Sequence, residues 1–181
     1  MSERPRLEGV DQPDLDVAIG RFFRAWTLLE HSLQMYLACL LLTDQWRAKI
    51  VWKNAGGMTS RLRLIKDLVK NFIMEPEQER VLKLVKRLER DGGLIEARNT
   101  LAHCGLYLDR DGKTVKYSSP EISRKDGNAL FYDPQSFDLD ELRNWETEIN
   151  SLVFEFGARG NFGGANPDLQ IEREPSTIRN K

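Results

Sequence analysis

The residues with the most chemical promise are Arg98, Asn99 and His103, in the run Arg98-Asn99-Thr100-Leu101-Ala102-His103. Histidine moves protons near neutral pH. Arginine stays charged and can fork onto a phosphate. Together they suit cleavage of a phosphodiester: one group transfers protons, the other stabilises charge growing on the phosphoryl oxygens. In RNA the neighbouring 2′-hydroxyl can attack, so this chemistry calls for no metal and no cofactor. The chain has only 2 His, which narrows the choice. Arg24 and His31 share the same loose spacing, but lack the Asn directly after Arg that sharpens Arg98-Asn99. On a regular helix, residues five apart point about 140° away from one another. Arg98 and His103 then converge on one ligand only if the backbone departs from ideal or a second copy of the chain completes the site. A twofold dimer would supply two Arg and two His across one contact.

Further candidates surround this pair. Glu30 and His31 sit inside a long helical stretch from which a polar pair can reach a cleft; the plainer reading is a solvated helix face. Lys49, Lys53, Arg61 and Arg63 flank Gly56-Gly57 and are candidates for holding RNA phosphates, against ordinary exposed charge. Trp26 and Trp145 fall on apolar stripes and read as core. Trp46 and Trp52 lie in the basic segment; burial in the core or in a dimer is favoured over stacking on bases. Cys39, in Leu37-Ala38-Cys39-Leu40-Leu41, reads as a small buried hydrophobe. Cys104 directly follows His103 without metal-ligand spacing, so no structural zinc and no disulfide is expected. The sequence contains no Gly-rich phosphate loop, His-Glu-x-x-His, Gly-x-Ser-x-Gly or Cys-x-x-Cys.

Helices must position these groups. Pro13 opens the first, with Asp14 and Asp16 near its positive end. Leu15, Ile19, Phe22, Trp26, Leu29, Leu33, Tyr36, Leu37 and Leu40 recur at steps of three and four, which predicts one amphipathic helix to about Leu42. Such a length suits a bundle spine or a dimer seam. A short helix over Gln45–Lys53 follows, and Gly56-Gly57 breaks the pattern. Thr59 or Ser60 is expected to cap a helix with Leu62, Ile65, Leu68, Val69 and Phe72 on one stripe. Glu75-Pro76-Glu77 starts another, interrupted at Asp91-Gly92-Gly93, and helix resumes from Leu94 to Cys104. Leu106 to Tyr117 then reads as a β-hairpin turning at Asp111-Gly112. After an Asp126-Gly127 turn, Ala129 to Tyr132 reads as a third strand. Ser136 or Asp138 caps a last helix carrying Leu139, Leu142, Trp145, Ile149, Leu152, Val153 and Phe156. The expected fold is mainly α: an up-and-down helical bundle of four to five helices, with a small β-hairpin insertion before the last helix.

Composition agrees with one such unit. The chain has 181 residues, 40% of them hydrophobic and 30% charged, enough apolar content for a core. Residues 1–12 read as a flexible N-terminal arm, 13–157 as the bundle with its insertion at about 105–132, and 158–181 as a flexible C-terminal tail. No stretch is apolar enough to span a membrane. The start, Met1-Ser2-Glu3-Arg4-Pro5, lacks the apolar core of a signal peptide, so a cytoplasmic protein with no membrane partner is expected. Net charge is −1, which does not support a globally polyanion-binding surface. The charge is uneven, though: Arg47 to Arg90 holds twelve Lys or Arg against five Asp or Glu, and Leu130 to Phe156 holds seven acids against one Arg. A basic face of this kind either holds phosphates or meets the acidic helix of a neighbour.

Arg98-Asn99-Thr100-Leu101-Ala102-His103 resembles the hallmark of the HEPN superfamily (higher eukaryotes and prokaryotes nucleotide-binding). That hallmark is Arg, a polar residue that is often Asn, and a His after about four to six intervening residues. The likeness extends over about Pro13 to Phe156, with the motif late in the bundle and before its final helix. It implies a helical homodimer whose two motifs share a cleft, and metal-independent cleavage of RNA. Commonly this occurs in toxin–antitoxin or phage-defence settings, with an antitoxin or regulatory protein as partner. By position, Arg98 and His103 would be catalytic and Asn99 the polar helper. Some toxins of the superfamily carry a Tyr two places after the His, where an antitoxin modifies them; here that place is Gly105. The insertion at about 105–132 is additional to the minimal bundle. Two other readings stand beside the nuclease: a non-catalytic HEPN-like module that binds RNA or a nucleotide, and a helical dimerisation protein.

Overall fold

A computed structural model describes residues 13–90, 92–118, 120–122, 129–131 and 135–159. The expected arm at 1–12, the turn at Asp126-Gly127, Tyr132 and most of the tail at 158–181 lie outside the described residues.

The fold is mainly helical, with a small antiparallel sheet before the last helix, as the apolar spacing predicts. The elements run α1 (Pro13–Leu40), α2 (Gln45–Asn54), α3 (Met58–Phe72), α4 (Glu77–Glu89), α5 (Leu94–His103), β1 (Gly105–Leu108), β2 (Thr114–Ser118), β3 (Pro120–Ile122), β4 (Ala129–Phe131), β5 (Gln135–Asp138) and α6 (Leu139–Arg159). The long α1 is the spine: it packs along α6 and also meets α2 and α3, while α3–α4, α4–α5 and α5–α6 close the bundle. Its apolar stripe is buried from Leu15 through Phe22, Trp26, Leu29, Leu33, Tyr36 and Leu37 to Leu40. The rings of Phe22 and Trp26 stack, centroids 6.3 Å apart, and Phe22 meets Trp145 of α6 edge-on at 6.4 Å. Tyr36 meets Phe156 at 5.8 Å. Burial pushes the Cys39 thiol up to about 12; the residue is half-buried and free.

The hairpin forms as expected, β1 against β2, and β5 joins it to give the order β1-β2-β5. Val115 pairs with Phe137 across β2 and β5. Both side chains are buried in the common core, and Phe137 lies 5.1 Å from Trp145. The sheet is thereby anchored to α1 and α6 rather than hanging from the bundle.

Several boundaries depart from expectation, each for a local reason. The strand expected at Ala129 pairs with β3 in a separate two-stranded sheet. Ser136 belongs to β5; Asp138 accepts from the Asp140 amide at 2.8 Å and starts α6. α6 runs through Gly157 to Arg159, where Arg159 pairs with Glu77 of α4. Thr59 and Ser60 do not cap α3. The helix begins two to three residues earlier than such a cap implies, at Met58, with the extended Gly57 in the cap position and no capping side chain. Trp46 is 68% exposed on the subunit and so is not part of its core, with the Lys49 ammonium 5.7 Å over its ring. No described helix is long and apolar enough to cross a membrane.

Candidate functional site

Two loop glycines and three helices enclose a cleft of about 390 Å³. α1 supplies Trp26 and Glu30. The α2–α3 junction supplies Gly56, Gly57, Met58, Thr59 and Arg61. α5 supplies Ile95, Arg98 and Asn99. The helical repeat explains the grouping: Trp26 and Glu30 are four apart on one face of α1, and Ile95, Arg98 and Asn99 are three and four apart on one face of α5. Gly56 makes the junction sharp, with φ +88°, a region that glycine enters without strain.

Arg61 is the most constrained polar group here. Its Nε donates to the Trp52 carbonyl at 3.1 Å, and its guanidinium lies 4.8 Å from the centroid of the Trp52 ring. Nη1 reaches Glu30 Oε1 at 3.4 Å, a long contact for an ion pair with hydrogen-bonding power. Arg98 is half-buried, and its Nη1 donates to Asn99 Oδ1 at 3.2 Å. Among the described residues no carboxylate pairs with Arg98. The cleft therefore holds two guanidinium groups against one carboxylate, a net positive charge in a confined place.

The remaining expected residues fall elsewhere. His103 is the last residue of α5 and is exposed; it is not a wall of the cleft. α5 is regular helix throughout, so the backbone offers no departure that would turn His103 toward Arg98. His31, next to Glu30, faces solvent, as do Lys49 and Lys53 on α2. Arg63 is two residues from Arg61, about 200° around α3. It lines a different, apolar groove with Ile50, Val51 and Leu64. Of the four basic residues flanking the glycines, then, only Arg61 joins the motif.

Two walls were not anticipated. Trp26 is core, as its stripe requires, yet it also lines the cleft, on the same face of α1 as Glu30 four residues on. In the sequence Gly56-Gly57 reads only as a break, and Thr59 only as a helix cap. Among the described residues no group of three or more His, Cys, Asp or Glu gathers as a metal site would need. Comparison with protein-family models, with curated proteins and with solved structures finds no match.

Proposed function

We propose that the chain is a metal-independent endoribonuclease of HEPN type, working as a homodimer. One observation carries this reading. Arg98 and Asn99 face a positively charged cleft with no carboxylate among the described residues neutralising Arg98, while His103 of the same helix is exposed to solvent. Such an arrangement leaves Arg98 available to an RNA phosphate and leaves His103 available to a site completed by a second subunit. Asn99, through its contact with Nη1, orients the guanidinium.

In this mechanism His103 takes the proton of a ribose 2′-hydroxyl as the 2′-oxygen bonds to phosphorus. The bond from phosphorus to the 5′-oxygen breaks, and the leaving oxygen is protonated by an imidazolium. Arg98 binds the phosphoryl oxygens as their charge rises. The natural setting that goes with this reading is a toxin or phage-defence effector in the cytoplasm, restrained by an antitoxin or other regulatory protein. With Gly105 where some relatives carry Tyr, that restraint would not be modification at this position.

The test is cleavage of RNA by the purified protein in EDTA, beside Arg98→Ala and His103→Ala. Each substitution is expected to cost at least about 100-fold in rate. Unchanged cleavage by both variants would remove the mechanism. A second reading draws on the absence of His103 from the cleft walls: a module that binds RNA through Arg61 and Arg98 without cutting it. Salt-sensitive RNA binding with no cleavage by the wild type would establish that reading instead.

A further inference from the structure

We infer that the cleft is a phosphate subsite complete within one subunit, built by Arg61, Arg98 and the first turn of α3, with Glu30 as an internal competitor for Arg61. The inference rests on the RNA reading for the kind of strand bound, and on the cleft alone for the phosphate.

Three observations converge on an anionic ligand. The first is charge: two guanidinium groups share one carboxylate, and that carboxylate touches Arg61 only at 3.4 Å. Second, Arg61 is already aimed. The Trp52 carbonyl takes its Nε and the Trp52 ring supports its plane, so little side-chain freedom is lost when its remaining Nη hydrogens meet an oxyanion. Third, α3 starts with no side-chain cap. The Arg61 amide is the first of the helix to bond back, to the Gly57 carbonyl at 3.1 Å. The amides of Met58, Thr59 and Ser60 precede it at the positive end of a 15-residue helix. A methyl group placed on Gly57 would meet nothing within 4 Å, so the space beside the cap position is empty.

The volume, about 390 Å³, lies at the low end of the range of about 300–1,000 Å³ typical of small-ligand sites. It suits one nucleotide unit. The ligand is accordingly the phosphate of a nucleotide, carried either on an RNA strand or on a free mononucleotide. Phosphate entering this site displaces Glu30 from Arg61, so Glu30 sets how tightly the subsite holds.

The experiment measures equilibrium binding of a fluorescent 2′-O-methyl RNA oligonucleotide, which lacks the attacking hydroxyl and cannot be cut, to the full-length protein over a series of salt concentrations. Arg61→Ala is expected to weaken binding about tenfold or more, and to lower the slope of log K against log salt by about 1. Glu30→Gln is expected to tighten binding several-fold, a direction that loss of a purely structural ion pair would not produce. Gly57→Ala, for which the fold has room, is expected to weaken it by obstructing the amides. An unlabelled nucleoside monophosphate should displace the oligonucleotide where the parent nucleoside does not. Tighter hold on the strand than on the mononucleotide identifies RNA as the source of the phosphate; the reverse order identifies the free nucleotide. The inference is overturned if Glu30→Gln and Gly57→Ala both leave binding unchanged, or if nucleoside and nucleotide compete equally. Because nothing is cut in this assay, Arg61-dependent binding by a protein that never cleaves RNA removes the nuclease and keeps the subsite. Cleavage combined with binding indifferent to these variants does the opposite.

Discussion

Arg98→Ala and His103→Ala subunits are each expected to be nearly inactive alone and active when mixed. The reason is geometric. α5 is unbroken from Leu94 to His103, so the two residues are separated by about 140° of rotation and about 7.5 Å of rise. One faces the cleft and the other faces solvent. If each catalytic site takes Arg98 from one subunit and His103 from its partner, a mixed dimer contains one site with both residues altered and one with both intact. Random exchange of equal amounts makes about half the dimers mixed, each with one good site of two. Activity should recover to about a quarter of wild type. Each parent alone should retain at most about 1%, so the gain on mixing is at least about 25-fold. The assay is RNA cleavage in EDTA after subunit exchange, with exchange itself verified by native mass spectrometry. A mixture no more active than its parents, despite verified exchange, would refute completion of the site across two subunits.

Other substitutions test the frame that holds the cleft. A Cβ on Gly93 would lie 2.5 Å from the Arg90 carbonyl oxygen, so Gly93→Ala must displace the start of α5; urea denaturation is expected to show a loss of about 1–3 kcal/mol. The Tyr36 hydroxyl is buried without a partner, so Tyr36→Phe should be neutral or stabilise by up to about 1 kcal/mol, read by the same method. In the hairpin turn, the Thr114 hydroxyl and the amides of Thr114 and Lys113 donate to Asp111 and hold its carboxyl down at about 2. Because the folded value lies below the unfolded one, this stabilisation is present above about pH 3.9 and is lost as pH falls toward about 2. An NMR titration of Asp111 checks it.

Burial of a single stripe explains what was legible beforehand. In α1, α3, α4 and α6 one face is apolar at helical spacing, and the structure packs those faces inward, apart from Phe72 at the end of α3, which is exposed. β5 was hidden because Gln135-Ser136-Phe137-Asp138 carries one apolar residue and no alternation. It is a strand because β2 offers a free edge, and because Phe137 gains burial beside Trp145. Thr59 and Ser60 are good capping types, yet the chain turns at Gly56 and puts Gly57, which has no side chain, in the cap position. At the site, Arg98, Asn99, Glu30 and Arg61 were all visible as candidates. What composition and spacing do not carry is which of several nearby cations shares a face: Arg61 and Arg63 differ by two residues and end on opposite sides of one helix.

The uneven charge along the chain resolves in the same way. The basic stretch was expected either to hold phosphates or to meet an acidic neighbour, and much of it meets acid within the subunit. Arg87 of α4 reaches Glu148 at 3.7 Å and Glu155 at 2.8 Å on α6. Lys66 pairs with Glu89 at 2.8 Å, and Arg80 and Lys83 are matched by Glu77 and Glu79 on their own helix. Among the described residues, Lys49, Lys53 and Arg63 keep no carboxylate partner, nor do Lys70, Lys86 and Arg90 of the same stretch. A chain with a net charge of −1 thus still carries unpaired cations, three of them on α2 and α3 beside the glycine junction of the cleft. These outer lysines act through solvent, where charge is screened within about 8 Å at physiological salt and within about 3 Å at 1 M. Arg61 acts inside the cleft, where salt screens it less. Lys49→Ala with Lys53→Ala should therefore weaken RNA binding at 50 mM salt and have almost no effect at 0.5 M, whereas the Arg61→Ala defect should persist at both. If all three substitutions fade together as salt rises, Arg61 is one more surface charge, and the cleft has no special hold on the phosphate.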